Sequence, residues 1–143
     1  MKTKQQIIND LKTNLSDHID LIDKKEFESL VKFFFDNEEI VELLVVGIEN
    51  QAWLITLTNQ RIFFVKKHNL YNNIIQQYGL EQLKDLRLSS LADQANLTFI
   101  LNNDQTIRAE EISLNQAQSL AKKIARAHIS WMSEINNKVI KPK

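Results

Sequence analysis

The sequence contains no cysteine, one proline and two glycines, and its 18 basic residues are balanced by 18 acidic ones. The absence of cysteine excludes disulfides, thiolate metal ligands and a cysteine nucleophile together. With glycine only at Gly47 and Gly79, no glycine-rich phosphate loop can be built, and little material is left for long flexible linkers. A formal charge of zero gives no global field toward phosphate backbones or anionic lipid, so any such binding must come from a local patch. Long apolar runs are missing too. The most apolar stretch, Leu43-Leu44-Val45-Val46-Gly47-Ile48, is far short of the roughly 20 residues a membrane-crossing helix needs. The start, Met1 to Gln6, is basic but leads into alternating polar and apolar residues instead of a signal-peptide core, so a cytoplasmic location is expected.

What is present is globular. At 143 residues, 43% hydrophobic and 25% charged, the chain has the size and composition of one domain around one core. Thr3 and Gln6 have capping-box spacing ahead of a stripe of Ile7, Ile8, Leu11 and Leu15, and Asp23 with Glu26 repeats the arrangement ahead of Phe27, Leu30, Val31 and Phe34. Two amphipathic helices are expected up to about Phe35. From Ile40 to Ile48 almost every position is apolar and many are β-branched, as in a strand covered on both faces, with the N-terminal helices against its outer side.

Period-two alternation continues. Trp53, Ile55 and Leu57 alternate with Leu54, Thr56 and Thr58, and the polar pair Asn59-Gln60 then leads into Arg61 to Val65, a hairpin in which Asn59 is expected to accept positive φ. A polar loop, Lys66 to Asn73, precedes a fourth strand containing Ile74, Ile75 and Tyr78. Leu83, Leu86 and Leu88 fit either a fifth strand or, around Leu80 to Leu83, a short helical turn. Leu97, Phe99 and Leu101, the turn residues Asn102-Asn103-Asp104, and Thr106 to Arg108 make a second hairpin. Ser113 and Gln116 then cap a long terminal helix whose apolar face runs through Leu114, Ala117, Leu120, Ala121, Ile124, His128, Trp131 and Ile135. The fold class is therefore α+β and mainly antiparallel β. Its expected divisions are a helical extension over residues 1–36, the domain proper over 37–136 and a basic tail over 137–143.

Some seven short strands followed by one amphipathic helix suit a small barrel plugged at one end. At Thr58-Asn59-Gln60-Arg61-Ile62-Phe63-Phe64 the chain resembles the bacterial pleckstrin-homology-like domains of the YokE-like kind, which show a Thr-Asn-x-Arg-apolar-aromatic hairpin at that place. Tyr78-Gly79-Leu80 with Leu83 resembles the next motif of that family, although Gly79 stands where much of the family has proline. The resemblance covers about residues 38–128. It implies a seven-stranded barrel or sandwich closed by the terminal helix, serving as a binding or scaffolding module without enzymatic activity or cofactor.

Candidate sites are few. His18, His68 and His128 are far apart and form no metal-ligand spacing, and the adjacent pairs Glu38-Glu39 and Glu110-Glu111 read as solvated charge, since neighbours on a strand point to opposite faces. Neither a catalytic residue nor a metal site is expected. A pleckstrin-homology domain that grips phosphoinositides usually carries several basic residues around its first hairpin, but here that loop is Glu49-Asn50-Gln51-Ala52. The other basic features are Lys66-Lys67 with His68, the helix face of Lys122, Lys123 and Arg126, and the tail of Lys138, Lys141 and Lys143. Each reads first as solubilising surface. Phe33-Phe34-Phe35 cannot all point inward from one helix, so Phe33 or Phe35, together with Trp131, is a candidate partner surface. The expected function is a non-enzymatic module for protein binding or self-association. The alternative is peripheral binding to anionic membrane lipid through Lys122, Lys123, Arg126 and the lysine tail, and Lys66, Lys67, Lys122, Lys123 and Arg126 are the candidates for contact with an anionic ligand. Nucleic acid is not expected as a partner, because the neutral chain lacks a basic stripe.

Overall fold

The computed structural model describes residues 34, 35, 37–67 and 73–140. The two N-terminal helices expected from the sequence lie outside the described residues, as do His18, Phe33, His68 and the last three residues. Phe34 and Phe35 are in neither a helix nor a strand.

Seven antiparallel strands curl into a half-barrel. They are β1 (Ile40–Ile48), β2 (Gln51–Thr58), β3 (Arg61–Lys67), β4 (Asn73–Gly79), β5 (Leu83–Leu91), β6 (Gln94–Leu101) and β7 (Thr106–Ser113), and one helix, α1 (Leu114–Ile140), follows. The order across the sheet is β4-β3-β2-β1-β7-β6-β5, so all ladders but one join neighbours in sequence. The exception joins two meanders, β1 to β4 and β5 to β7, through the single pairing of Gly47 with Glu110. Beside it, Glu111 takes a φ of 60° where β7 bulges opposite Ala95 and Leu97. A Cβ on Gly47 would stand 3.1 Å from the Glu111 Cδ, so glycine is what lets this side chain lie across the seam.

Both alternatives for the stretch after Gly79 are realised in sequence: a 3₁₀ turn over Leu80–Gln82, then strand β5. The hairpin β2–β3 is present with Leu57 opposite Ile62. Asn59, however, is not among the positive-φ residues; those at the hairpin turns are Glu49 (51°) and Asn50 (64°) between β1 and β2, Ala92 (56°) between β5 and β6, and Asp104 (67°) between β6 and β7. The β2–β3 turn needs no left-handed residue because the Thr58 hydroxyl closes it, accepting from the N–H groups of Gln60 (3.1 Å) and Arg61 (2.9 Å).

The inner face of the sheet and α1 share the main core. Leu44, Ile55, Leu57, Phe64, Leu97 and Phe99 meet Ala117, Leu120 and Ile124 of the helix, the residues that recur at helical spacing on its apolar face. Ser113 starts the helix by accepting from the Gln116 N–H (3.3 Å). The outer face of β1 to β3 is buried as well: Leu43, Leu54, Phe63 and Val65 are almost without exposure. This matches the near-continuous apolar reading of these strands. No helix among the described residues is long and apolar enough to cross a membrane.

Candidate functional site

The hairpin with the distinctive sequence is a clasp that fastens the segment before β1. Glu38, fully buried, accepts from the Thr58 hydroxyl (2.7 Å), from Arg61 Nε (3.0 Å) and from Arg61 Nη2, and also from the Phe35 N–H (3.2 Å). Asn59 Oδ1 accepts from the Glu39 N–H (2.9 Å), and Asn59 Nδ2 donates to the Asn37 carbonyl (3.2 Å). The Arg61 guanidinium lies between two rings, 4.5 Å from Phe35 and 4.6 Å from Phe63, and Phe34 stacks on Phe63 at 5.5 Å. Thr58, Asn59 and Arg61 are thus occupied in holding structure. The expectation of solvated charge at Glu38-Glu39 holds for Glu39, which is exposed, and fails for Glu38, because Arg61 and Thr58 supply the donors that let a carboxylate be buried.

The proposed partner residues are separated by this arrangement. Phe35 is 52% exposed but covers Arg61, whereas Trp131 is half-buried near the far end of α1 and donates from Nε1 to Glu81 Oε1 (2.7 Å). That bond explains the glycine at the expected proline position. Gly79 has a φ of −61°, a value proline also adopts, but a Cβ there would fall 2.1 Å from Glu81 Oε2. Glycine leaves room for the carboxylate that holds Trp131.

The basic candidates do not converge either. Lys66 donates to Gln51 Oε1 (2.6 Å) and sits 5.3 Å over the Trp53 ring, and the Lys67 side chain lies outside the described residues. Lys123 turns away from Lys122 and Arg126 to pair at 2.7 Å with Glu42, a buried carboxylate of β1. Only Lys122 and Arg126, four residues apart, share the exposed face.

Two cavities lined by described residues stand apart from these groups. The larger, about 510 Å³, opens between the β1–β2 and β6–β7 turns, with Trp53, Phe64 and Ile107 as an apolar floor and Gln76, Gln105 and Arg108 at its sides. Arg108 is the one basic residue among the described lining, and it is paired with Glu110 at 3.1 Å. A multiply charged phosphate finds no cluster of donors there.

The smaller cavity, about 260 Å³, is a groove between β5 and α1 lined by Leu83, Lys84, Asp85, Leu86, Ile124, Ala125 and His128. Among the described residues β5 has one ladder, to β6, so its other side is an open edge. Leu86 and Leu88 pair with the core residues Phe99 and Leu97 and therefore share their helix-facing side, while Asp85 and Arg87 face the opposite way. The Leu86 N–H donates to the carboxylate of its own neighbour, Asp85 (2.8 Å), and not to β6. The even-numbered residues of this strand consequently present their backbone groups to the edge. Leu88 is 41% and Leu91 85% exposed along it. Sequence reading missed this groove; its trace in the sequence is the alternation Lys84-Asp85-Leu86-Arg87-Leu88, charged on one side and apolar on the other.

The arrangement of strands and helix has solved relatives. The chain is similar to a protein with a pleckstrin-homology domain from Shewanella loihica (TM-score 0.54, 12% identity, 71% of this chain and 88% of that one). It is also similar to a pleckstrin homology domain from Shewanella amazonensis (TM-score 0.51, 14% identity, 74% and 90%). A third similar structure comprises the linker and DH/PH domains of p115-RhoGEF, at TM-score 0.52 and 8% identity; it matches 89% of this chain but only 40% of its own length. At these identities the likeness concerns the fold. No match was found among the curated proteins. The family model described as the bacterial PH domain matches residues 35–126, a span that begins at the clasp and ends on the terminal helix, and the chain belongs to that family.

Proposed function

We propose that this bacterial PH domain is a non-enzymatic interaction module that accepts an extended protein segment on the open edge of β5, with an apolar side chain of that segment in the groove against α1. The observation that carries this reading is the juxtaposition of a strand edge that, among the described residues, pairs with no other strand and an apolar-lined groove immediately beside it. Added strands gain affinity from main-chain hydrogen bonds and selectivity from pockets for alternate side chains, and both parts are present here. The Thr58-Asn59-Gln60-Arg61 hairpin supports placing the chain with the YokE-like members of the family.

Random dodecapeptides displayed on phage and selected on the full chain test this. Enriched peptides are expected to read as extended segments with an apolar anchor, and to lose roughly tenfold or more in affinity when Ala125→Arg fills the groove. Ala125 is exposed, so this substitution leaves the core untouched. Peptides that bind Ala125→Arg and Leu88→Asp as tightly as the original chain would refute the proposal.

A further inference from the structure

The charge pattern along β5 is complementary to itself. On the face away from α1, Asp85 and Arg87 stand two residues apart, bonded to each other within the strand through Arg87 Nε (3.2 Å). Both are largely exposed, so the ion pair can exchange partners at little expense, and the Leu86 N–H from which Asp85 also accepts would pass to the partner strand. If two β5 strands run antiparallel with Leu86 opposite the partner's Leu86, Asp85 faces the partner's Arg87 and Arg87 faces the partner's Asp85. We infer that the segment received by the β5 edge is the β5 edge of a second copy of this chain, paired about a two-fold axis at Leu86.

This rests on the reading of β5 as an accepting edge and adds to it the identity of the occupant. Three features of the strand select this register. The outward N–H of Leu86 makes Leu86 a hydrogen-bonded pair with its symmetry mate, and Asp85 and Arg87 then fall in the non-hydrogen-bonded positions, where opposing side chains come closest. A register centred on Arg87 would set two guanidinium groups face to face, and one centred on Leu88 would place Asp85 against Leu91. The Leu86 register also brings the partner's Leu88 opposite Lys84, at the mouth of the groove lined by Leu83, Leu86 and Ile124. Leu88, exposed in one copy, is thereby delivered to the apolar groove of the other, twice by symmetry. Among the described residues no strand pairs with this edge, and its nine residues include neither proline nor a bulge beyond Asp85.

Charge reversal and a single thiol test the pairing, using sedimentation equilibrium on the full chain. Arg87→Glu sets two acidic residues against each other at both ends of the axis and is expected to weaken the dimer roughly tenfold or more, whereas Asp85→Arg with Arg87→Glu restores it with the charges exchanged. Because the chain has no cysteine, Leu86→Cys introduces one thiol per copy, about 5.5 Å between Cα atoms across the axis and within reach of a disulfide. An oxidised dimer is expected from Leu86→Cys and not from Ser89→Cys, which the same register sets far from its symmetry mate. A chain that stays monomeric at concentrations on the order of 100 µM overturns the inference. So does a dimer indifferent to Arg87→Glu and not crosslinked at position 86. In either case peptide selection still decides the fate of the accepting edge independently, since it needs no second copy.

Discussion

Removing the Arg61 side chain tests the clasp at its centre. In Arg61→Ala, Glu38 stays fully buried and keeps only the Thr58 hydroxyl and the Phe35 N–H as donors, having lost the two guanidinium bonds that balance its charge. The rings of Phe35 and Phe63 lose the cation between them as well. Breaking a buried pair at one end destabilises by about 3–5 kcal/mol, because the remaining ion is left without compensation. For a domain of this size that corresponds to a fall in Tm of roughly 10–20 °C. Thermal and urea melts followed by circular dichroism measure it directly. Glu38→Leu combined with Arg61→Met should recover most of the loss, since neither charge is then stranded. If Arg61→Ala lowers stability by less than about 1 kcal/mol, the pair behaves like a solvent-exposed one and the clasp does not hold the segment before β1.

Two further outcomes follow from single atoms. Thr56 Oγ1 is buried without a hydrogen-bond partner among the described residues, so Thr56→Val, of nearly the same shape, should raise stability by about 1 kcal/mol in the same urea melts; a loss of stability would mean that the hydroxyl is satisfied. Gly79→Ala should displace the Glu81 carboxylate and break its hydrogen bond to the Trp131 indole, seen as an altered tryptophan emission at a stability cost of about 1 kcal/mol. The Trp131→Phe variant serves as its control, and emission unchanged by Gly79→Ala would show that the Glu81 contact does not hold the indole.

The parts of the fold that the sequence revealed are those decided by local rhythm. Trp53 to Val65 alternates with the period of a strand and forms the β2–β3 hairpin, and the helical recurrence of Ala117, Leu120 and Ile124 places them in the core. What was hidden depends on partners distant along the chain. Glu38 looked solvated beside Glu39 because the arginine that permits its burial is 23 positions away. Glu42 interrupts an apolar run and stays buried through Lys123, 81 positions away, which also removes that lysine from the basic helix face. Asn59 was expected to bend the turn, but the neighbouring Thr58 hydroxyl does so and leaves Asn59 to grip the segment before β1. The open edge of β5 follows only from its position in the sheet order, which no window of sequence contains; its leucines are also weak strand formers.

The lone Gly47–Glu110 bridge has a consequence for how the chain reaches this shape. Every other ladder closes a short loop, so each meander can assemble from contacts near in sequence, whereas the bridge must gather residues more than sixty positions apart. Loop-closure entropy makes the seam the last ladder to form. The helix α1, which packs on core residues of both meanders, is what holds them to one another across that seam.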